Sequence, residues 1–313
     1  MVVSNHRSDG GQQAGLRSGR HRPVVAVAVA VVALMVASSC GSSDPEPVAG
    51  ACSASPLSST IDPPSDETGS VLFEEGFDTI EAGNFSTTEL DATWSSPPWN
   101  NGVDVGRASV VPSEDEQALR VSYPQGEVGS SGSGVQWQYV FGPEQAVHLS
   151  YRVRFGDDFE FVRGGKLPGL AGGEANTGGK IPTGSDGWSG RIMWRSEGCG
   201  SFYLYHPDME SEWGDYIDWP AQFEAGRWHE VDQVVVMNTP GERDGAVLGW
   251  LDDRMVAERR DLRFRDVDGF AVDVLYFSTF FGGSDESWAP GSDQAIEFDS
   301  FVLRAIPADS VER

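Results

Sequence analysis

Alternation of apolar and polar side chains is the feature that most limits what this chain can fold into. In 146–155 (AVHLSYRVRF), Val147, Leu149, Tyr151, Val153 and Phe155 alternate with His148, Ser150, Arg152 and Arg154. A period of two puts one set on each face of an extended chain, so this run predicts a half-buried β-strand. The runs 71–77, 117–123, 135–141, 228–237, 271–281 and 295–304 read the same way. Residues 246–258 read as a hairpin, VLGWL and RMVAE joined by Asp252-Asp253, because Asp tolerates the positive φ that a two-residue turn requires. No segment holds a 3.6-residue period over three turns, and no repeat of 20–50 residues is present. Many short strands punctuated by Gly, Pro, Asn and Asp predict an all-β sandwich or jelly roll.

The ends follow different rules. Residues 1–22 carry Arg7, Arg17, Arg20 and Arg22, and 24–37 form an unbroken apolar run. That run is short for a bilayer span, which takes about 20 residues. A basic start, a short apolar stretch and small residues after it describe a secretory signal over 1–39. Ala37-Ser38-Ser39 lead directly into Cys40, as in a bacterial lipobox, although Ala37 stands where Leu is usual. Cys40 is therefore the expected lipidation site, holding the exported protein to the outer face of the membrane. Residues 40–70, rich in Ser, Pro, Gly and Asp, read as a disordered tether. One domain is expected over 71–306, with a tail over 307–313. In an oxidising compartment Cys52 and Cys199 are free to form a disulfide, and nothing in the spacing shows that they meet.

The chain carries a formal charge of −26, and −29 without residues 1–39, which hold four Arg and one Asp. Such a field excludes nucleic-acid binding through overall charge. An acidic substrate would need a local basic patch, and one is present. The only two lysines, Lys166 and Lys180, lie in a Gly-rich stretch, 164–190, that reads as a long functional loop. Across 163–195, Arg163, Lys166, Lys180, Arg191 and Arg195 outweigh Glu174 and Asp186. Downstream, 189–196 (SGRIMWRS) and 201–206 (SFYLYH) read as paired strands. A three-residue loop over Gly198–Gly200 would set Arg195 opposite Tyr203 and Met193 opposite Tyr205. Ser189, Arg191, Arg195, Tyr203 and Tyr205 then share one face, with Ile192, Trp194, Phe202 and Leu204 on the other.

Cations beside tyrosines suit one chemistry. A uronate polymer can be cut without water when a base removes the C5 proton and the C4–O bond leaves. Arg191 and Lys166 suit neutralising the carboxylate, on which enolate charge develops. Tyr203 and Tyr205 suit the acid and base roles, adjacent cations being expected to favour the phenolate.

The motifs carry a family resemblance. Gly164-Gly165-Lys166-Leu167-Pro168-Gly169-Leu170, Gly187–Arg195 (GWSGRIMWR) and Tyr203-Leu204-Tyr205-His206-Pro207-Asp208 resemble polysaccharide lyase family 14. Gly226-Arg227-Trp228-His229, Met237–Gly241 (MNTPG), Phe280–Ser284 (FFGGS) and Phe298–Phe301 (FDSF) continue the pattern. The resemblance implies a β-jelly roll of concanavalin-like type with a substrate cleft, acting on alginate or polyglucuronate. It carries the family's functional positions onto Lys166, Ser189, Arg191, Tyr203 and Tyr205. Lys180, Arg195 and His206 are added as substrate contacts. No cofactor is implied, and no His/Cys/Asp spacing suggests a metal.

Two other readings compete. Glu297 and Asp299 on one strand face could serve a concanavalin-like glycoside hydrolase, which needs two carboxyl groups across the bond. Trp94, Trp99, Trp137, Trp213 and Trp219 could stack on sugars in a lipid-anchored carbohydrate-binding module.

Overall fold

Along 146–155 the alternation becomes burial: Val147, Leu149, Tyr151, Val153 and Phe155 are fully enclosed. The computed structural model describes residues 52–57, 60–113 and 117–311. The signal segment and Cys40 lie outside the described residues. The strands run in chain order β1 (Ser70–Glu75), β2 (Gly83–Asn84), β3 (Asn100–Asn101), β4 (Ala108–Pro112), β5 (Gln117–Tyr123), β6 (Val135–Glu144), β7 (Ala146–Phe155) and β8 (Gly164–Gly173). They continue with β9 (Gly187–Arg195), β10 (Cys199–Tyr205), β11 (Asp215–Gln222), β12 (Trp228–Val236), β13 (Gly245–Leu251), β14 (Arg254–Leu262), β15 (Val272–Phe281) and β16 (Gln294–Ala305).

They form two antiparallel sheets. The larger follows the order β14-β13-β12-β7-β16-β5-β4-β2, with β1 also on β16; the smaller follows β11-β10-β9-β8-β15-β6-β3. Between them lies an aromatic core. Trp137 stacks on Phe277 at 4.0 Å, and Phe277 meets Phe298 and Phe301 of the opposite sheet at 5.1 and 5.5 Å. Offset and edge-on ring pairs of this kind add to the area buried. The all-β sandwich expected from the sequence is therefore the fold, and Asp252 and Asp253 make the β13–β14 turn with φ of 52° and 62°.

Three features depart from the sequence reading. The Gly-rich stretch 164–190 is mostly sheet: β8 and β9 take its two ends and only 174–186 remains a loop. Glycine is needed in β8 because core rings press on it, a Cβ at Gly165 colliding with the Trp194 indole. A short helix, α1 (Thr87–Thr93), also escapes periodicity, being only seven residues long. Its signal was a capping box, with Ser86 and Glu89 each bonding the other's backbone N–H.

The third departure is the segment assigned to the tether. Cys52 is disulfide-bonded to Cys199 at the start of β10. Leu57 and Ile61 pack against Trp250, Leu248 and Met255 on the outer face of the larger sheet. The Ile61 carbonyl accepts from Trp250 Nε1 at 2.7 Å. One cysteine and two apolar side chains are too sparse to register as a pattern, yet they fix the segment to the domain. A cross-link across 147 residues removes enough chain entropy to contribute up to about 5 kcal/mol.

Candidate active site

The smaller sheet turns one face to the core and gathers the candidate residues on the other. In β9, Ile192 and Trp194 point inward, so Ser189, Arg191, Met193 and Arg195 point outward; in β10, Phe202 and Leu204 send Ser201, Tyr203 and Tyr205 the same way. The registry differs from expectation. The chain reverses around Ser196–Gly198, where Glu197 and Gly198 take φ of 62° and 81°, so Tyr203 pairs with Arg191 and Tyr205 with Ser189. The slip relative to a Gly198–Gly200 loop is four residues. An even slip leaves every side chain on its own face, so the shared face survives the wrong loop.

Lys166 enters from β8, paired with Met193 of β9 and Phe280 of β15. Its Nζ donates to Met193 Sδ at 3.0 Å and lies 4.1 Å over the Tyr203 ring. Arg191 Nη1 donates to Ser278 Oγ at 3.1 Å, and its guanidinium lies 5.3 Å from the Tyr276 ring and 5.7 Å from that of Tyr203. Lys166 and Arg191 are only 6% and 3% exposed. Among the described residues neither has a carboxylate partner, and Arg191 Nε is buried without any hydrogen bond. Burial first, and then the Arg191 and Arg195 charges, hold the Lys166 amine well below the ordinary lysine range.

The two tyrosines are in contact, and Tyr203 behaves oppositely to expectation. Their hydroxyls lie 3.4 Å apart, with Tyr205 also accepting from the Gly179 N–H at 3.1 Å. Burial, and then the Tyr205 hydroxyl, push the Tyr203 phenol far above its ordinary value, and Arg191 opposes this only weakly. The cations thus fail to make a phenolate of Tyr203, because desolvation outweighs them. Gly214, at φ 98°, closes over both rings; a Cβ there would stand 2.8 Å from Tyr205 and 2.9 Å from Tyr203.

The remaining candidates are distributed around this centre. Ser189 Oγ donates to the Asn176 carbonyl at 2.6 Å, fastening the 174–186 loop. Arg195 lies 4.2 Å over the Tyr216 ring and 3.9 Å from Asp218, at the β11 edge. His206 is buried, its Nε2 3.2 Å from Asp215 Oδ2, with its pKa lowered chiefly by burial. Lys180 is tied to Glu174 and lies 3.9 Å from Asp186, so its charge is met within its own loop.

Sequence reasoning missed Met193 as a Lys166 partner, and missed Gln136, Tyr276 and Ser278 altogether. The alternation in 271–281 was the available signal: with Leu275 and Phe277 in the core, Tyr276 and Ser278 must share the face that carries Arg191. Glu297 bonds Arg120 and Arg154, and Asp299 lies 3.5 Å from Arg152, all on the larger sheet. Those acids are neutralised and belong to the other layer. Trp94, Trp137 and Trp219 are fully buried, leaving Trp99 and Trp213 as the exposed indoles of that set.

Comparison with known proteins agrees with this geometry. A family profile described as Polysaccharide lyase 14 matches residues 111–301. The PL-14 alginate lyase from Aplysia kurodai is 27% identical with a TM-score of 0.68, covering 76% of this chain and 100% of that one. The alginate lyase Aly36B is 25% identical with a TM-score of 0.66, covering 74% and 96%. The alginate lyase vAL-1 from Chlorella virus, at 20% identity and a TM-score of 0.58 over 72% and 99%, shares the fold. Among curated proteins no match is found. With its profile match spanning more than half its length, the chain belongs to polysaccharide lyase family 14 and is a polysaccharide lyase.

Proposed function

We propose that the enzyme depolymerises a uronate polymer, alginate or polyglucuronate, by β-elimination at the Lys166–Arg191–Tyr203–Tyr205 centre. The observation that carries this reading is the buried Arg191 guanidinium, which has no carboxylate partner among the described residues, beside the buried Lys166 amine. An uncompensated buried charge is strongly unfavourable, and a uronate carboxylate would relieve it. The likeness to the alginate lyases supports alginate as the first substrate to try.

The pKa directions revise the assignment of roles. Arg191 meets the carboxylate and the enolate charge that develops on it. Lys166, held toward its neutral form, takes the C5 proton and becomes the ammonium. The electron pair forms the C4=C5 double bond as C4–O breaks. Tyr203, held protonated, gives its proton to the leaving oxygen, with Tyr205 in hydrogen-bond contact behind it. Lys166, over the Tyr203 ring, then returns a proton to the phenolate by way of solvent, and no water is consumed.

Export with a lipid on Cys40 belongs to the same proposal. It is supported by the apolar run and small residues before Cys40, and by the Cys52–Cys199 disulfide, which suits an oxidising compartment. Mass spectrometry of the N-terminal peptide from the native membrane fraction should find a diacylglyceryl-modified Cys40; an unmodified mature N-terminus elsewhere would refute anchoring.

On alginate, its mannuronate and guluronate blocks and polyglucuronate, the enzyme is expected to produce the ultraviolet band of a 4,5-unsaturated uronate. Lys166→Ala and Tyr203→Phe should each reduce the rate about 10²–10⁴-fold; full activity in either removes that residue from the mechanism. The pH profile separates base from mere cation. A base must be neutral, so the rate rises with pH through the Lys166 pKa. Arg195→Gln deletes a charge that lowers this pKa, so the acidic limb should move to higher pH. An unmoved acidic limb would return Lys166 to electrostatic duty alone.

A further inference from the structure

Beside Arg191 lies a chain of hydrogen bonds whose direction is fixed by chemistry. Guanidinium can only donate, so Ser278 Oγ accepts from Arg191 Nη1 at 3.1 Å. The serine's own hydrogen is then free for Gln136 Oε1, 2.9 Å away. Tyr276 donates to the same oxygen at 3.4 Å. Gln136 stands directly across from Ser278 in the β6–β15 register, on the outward face between the core residues Val135 and Trp137. It is 7% exposed. Its carboxamide is therefore oriented by its neighbours: the oxygen faces Ser278, and the two Nε2 hydrogens are left over. Among the described residues Nε2 has no partner, and it is not among the buried atoms closed off from solvent.

We infer that Gln136 is a substrate-contacting residue whose Nε2 donates to the uronate carboxylate held at Arg191, a role that rests on the elimination reading above. Toward a ligand the pair offers only donors, from the Arg191 guanidinium and Gln136 Nε2, since the Gln136 oxygen already accepts from two hydroxyls. A carboxylate accepts and does not donate, so it satisfies both. A sugar hydroxymethyl in the same place brings a hydrogen that these groups cannot accept. Gln136 thereby helps select uronate over neutral sugar, and Arg191, through Ser278, holds Gln136 in the orientation that does so. Pairing these donors with an acceptor is the discriminating element, as it is wherever a site is built to hold a specific group.

Gln136→Glu tests this with little change of shape. At neutral pH the new carboxylate repels the uronate, so kcat/KM on the active uronan should fall about 10- to 100-fold. As pH drops into the carboxyl range, protonation restores a neutral group with a donor, so the ratio of variant to unsubstituted activity should climb. Gln136→Leu, matched in size and without a donor, should lose activity with a pH-independent ratio. Recovery of the Glu variant on acidification itself shows that it folds. A Glu ratio that stays flat across pH in an active enzyme, or a Leu variant with full kcat/KM, overturns the role of Gln136 while leaving the lyase reading intact. No ultraviolet product from the unsubstituted protein on any uronan defeats the lyase reading, and this inference with it.

Discussion

A buried guanidinium, Arg191, without a counter-charge in contact among the described residues and set beside the buried amine of Lys166, organises this molecule. Lys166 and Arg191 come from adjacent strands, β8 and β9, whose other faces carry Leu167, Ile192 and Trp194 into the aromatic core. The core fixes the strands, the strands fix the two side chains, and the guanidinium is held in a low-dielectric place where attraction to an anion is strong. A folded state that encloses positive charge in this way gives up stability at that point. The aromatic core and the Cys52–Cys199 link offset the loss elsewhere, an arrangement expected where function conflicts with local stability.

In the proposed mechanism the same burial divides the proton chemistry. Desolvation always favours the neutral form, so it lowers the amine and raises the phenol. Lys166 is driven toward a free base and Tyr203 toward a firm acid by one cause acting on two kinds of group. Pairs whose environments push their pKa values apart are the usual mark of acid and base assignments. A chain of net charge −26 is compatible with a polyanion only because positive charge is concentrated at this site. Arg195 and Lys180 lie at its margins, each near an acid of its own.

Much of this was legible in the sequence because alternation is a direct record of which face meets the core. The β9–β10 face was read correctly even though its registry was wrong by four residues, since parity survives an even slip. The β8 strand was misread because its glycines, required by Trp194 and its neighbours, look like loop composition when partners are unknown. The Tyr203 pKa was misjudged because sequence shows charged neighbours and hides burial. Gln136, Ser278 and Cys52 act through partners 142, 87 and 147 residues away, separations at which composition and period carry no information.

The proposed elimination turns on the state of one amine, and the chain is well suited to a direct test. Only two lysines are present, so lysine labelled at the side-chain carbon and nitrogen gives two resonances to follow by NMR across pH. One, Lys180, should titrate above the ordinary lysine value, because Glu174 and then Asp186 favour its charged form. The other should titrate well below it, disappear in Lys166→Met, and move up when a uronate oligomer binds. Two lysines titrating together in the ordinary range would contradict the account, because Lys166 would then be a solvated cation and could not serve as the base.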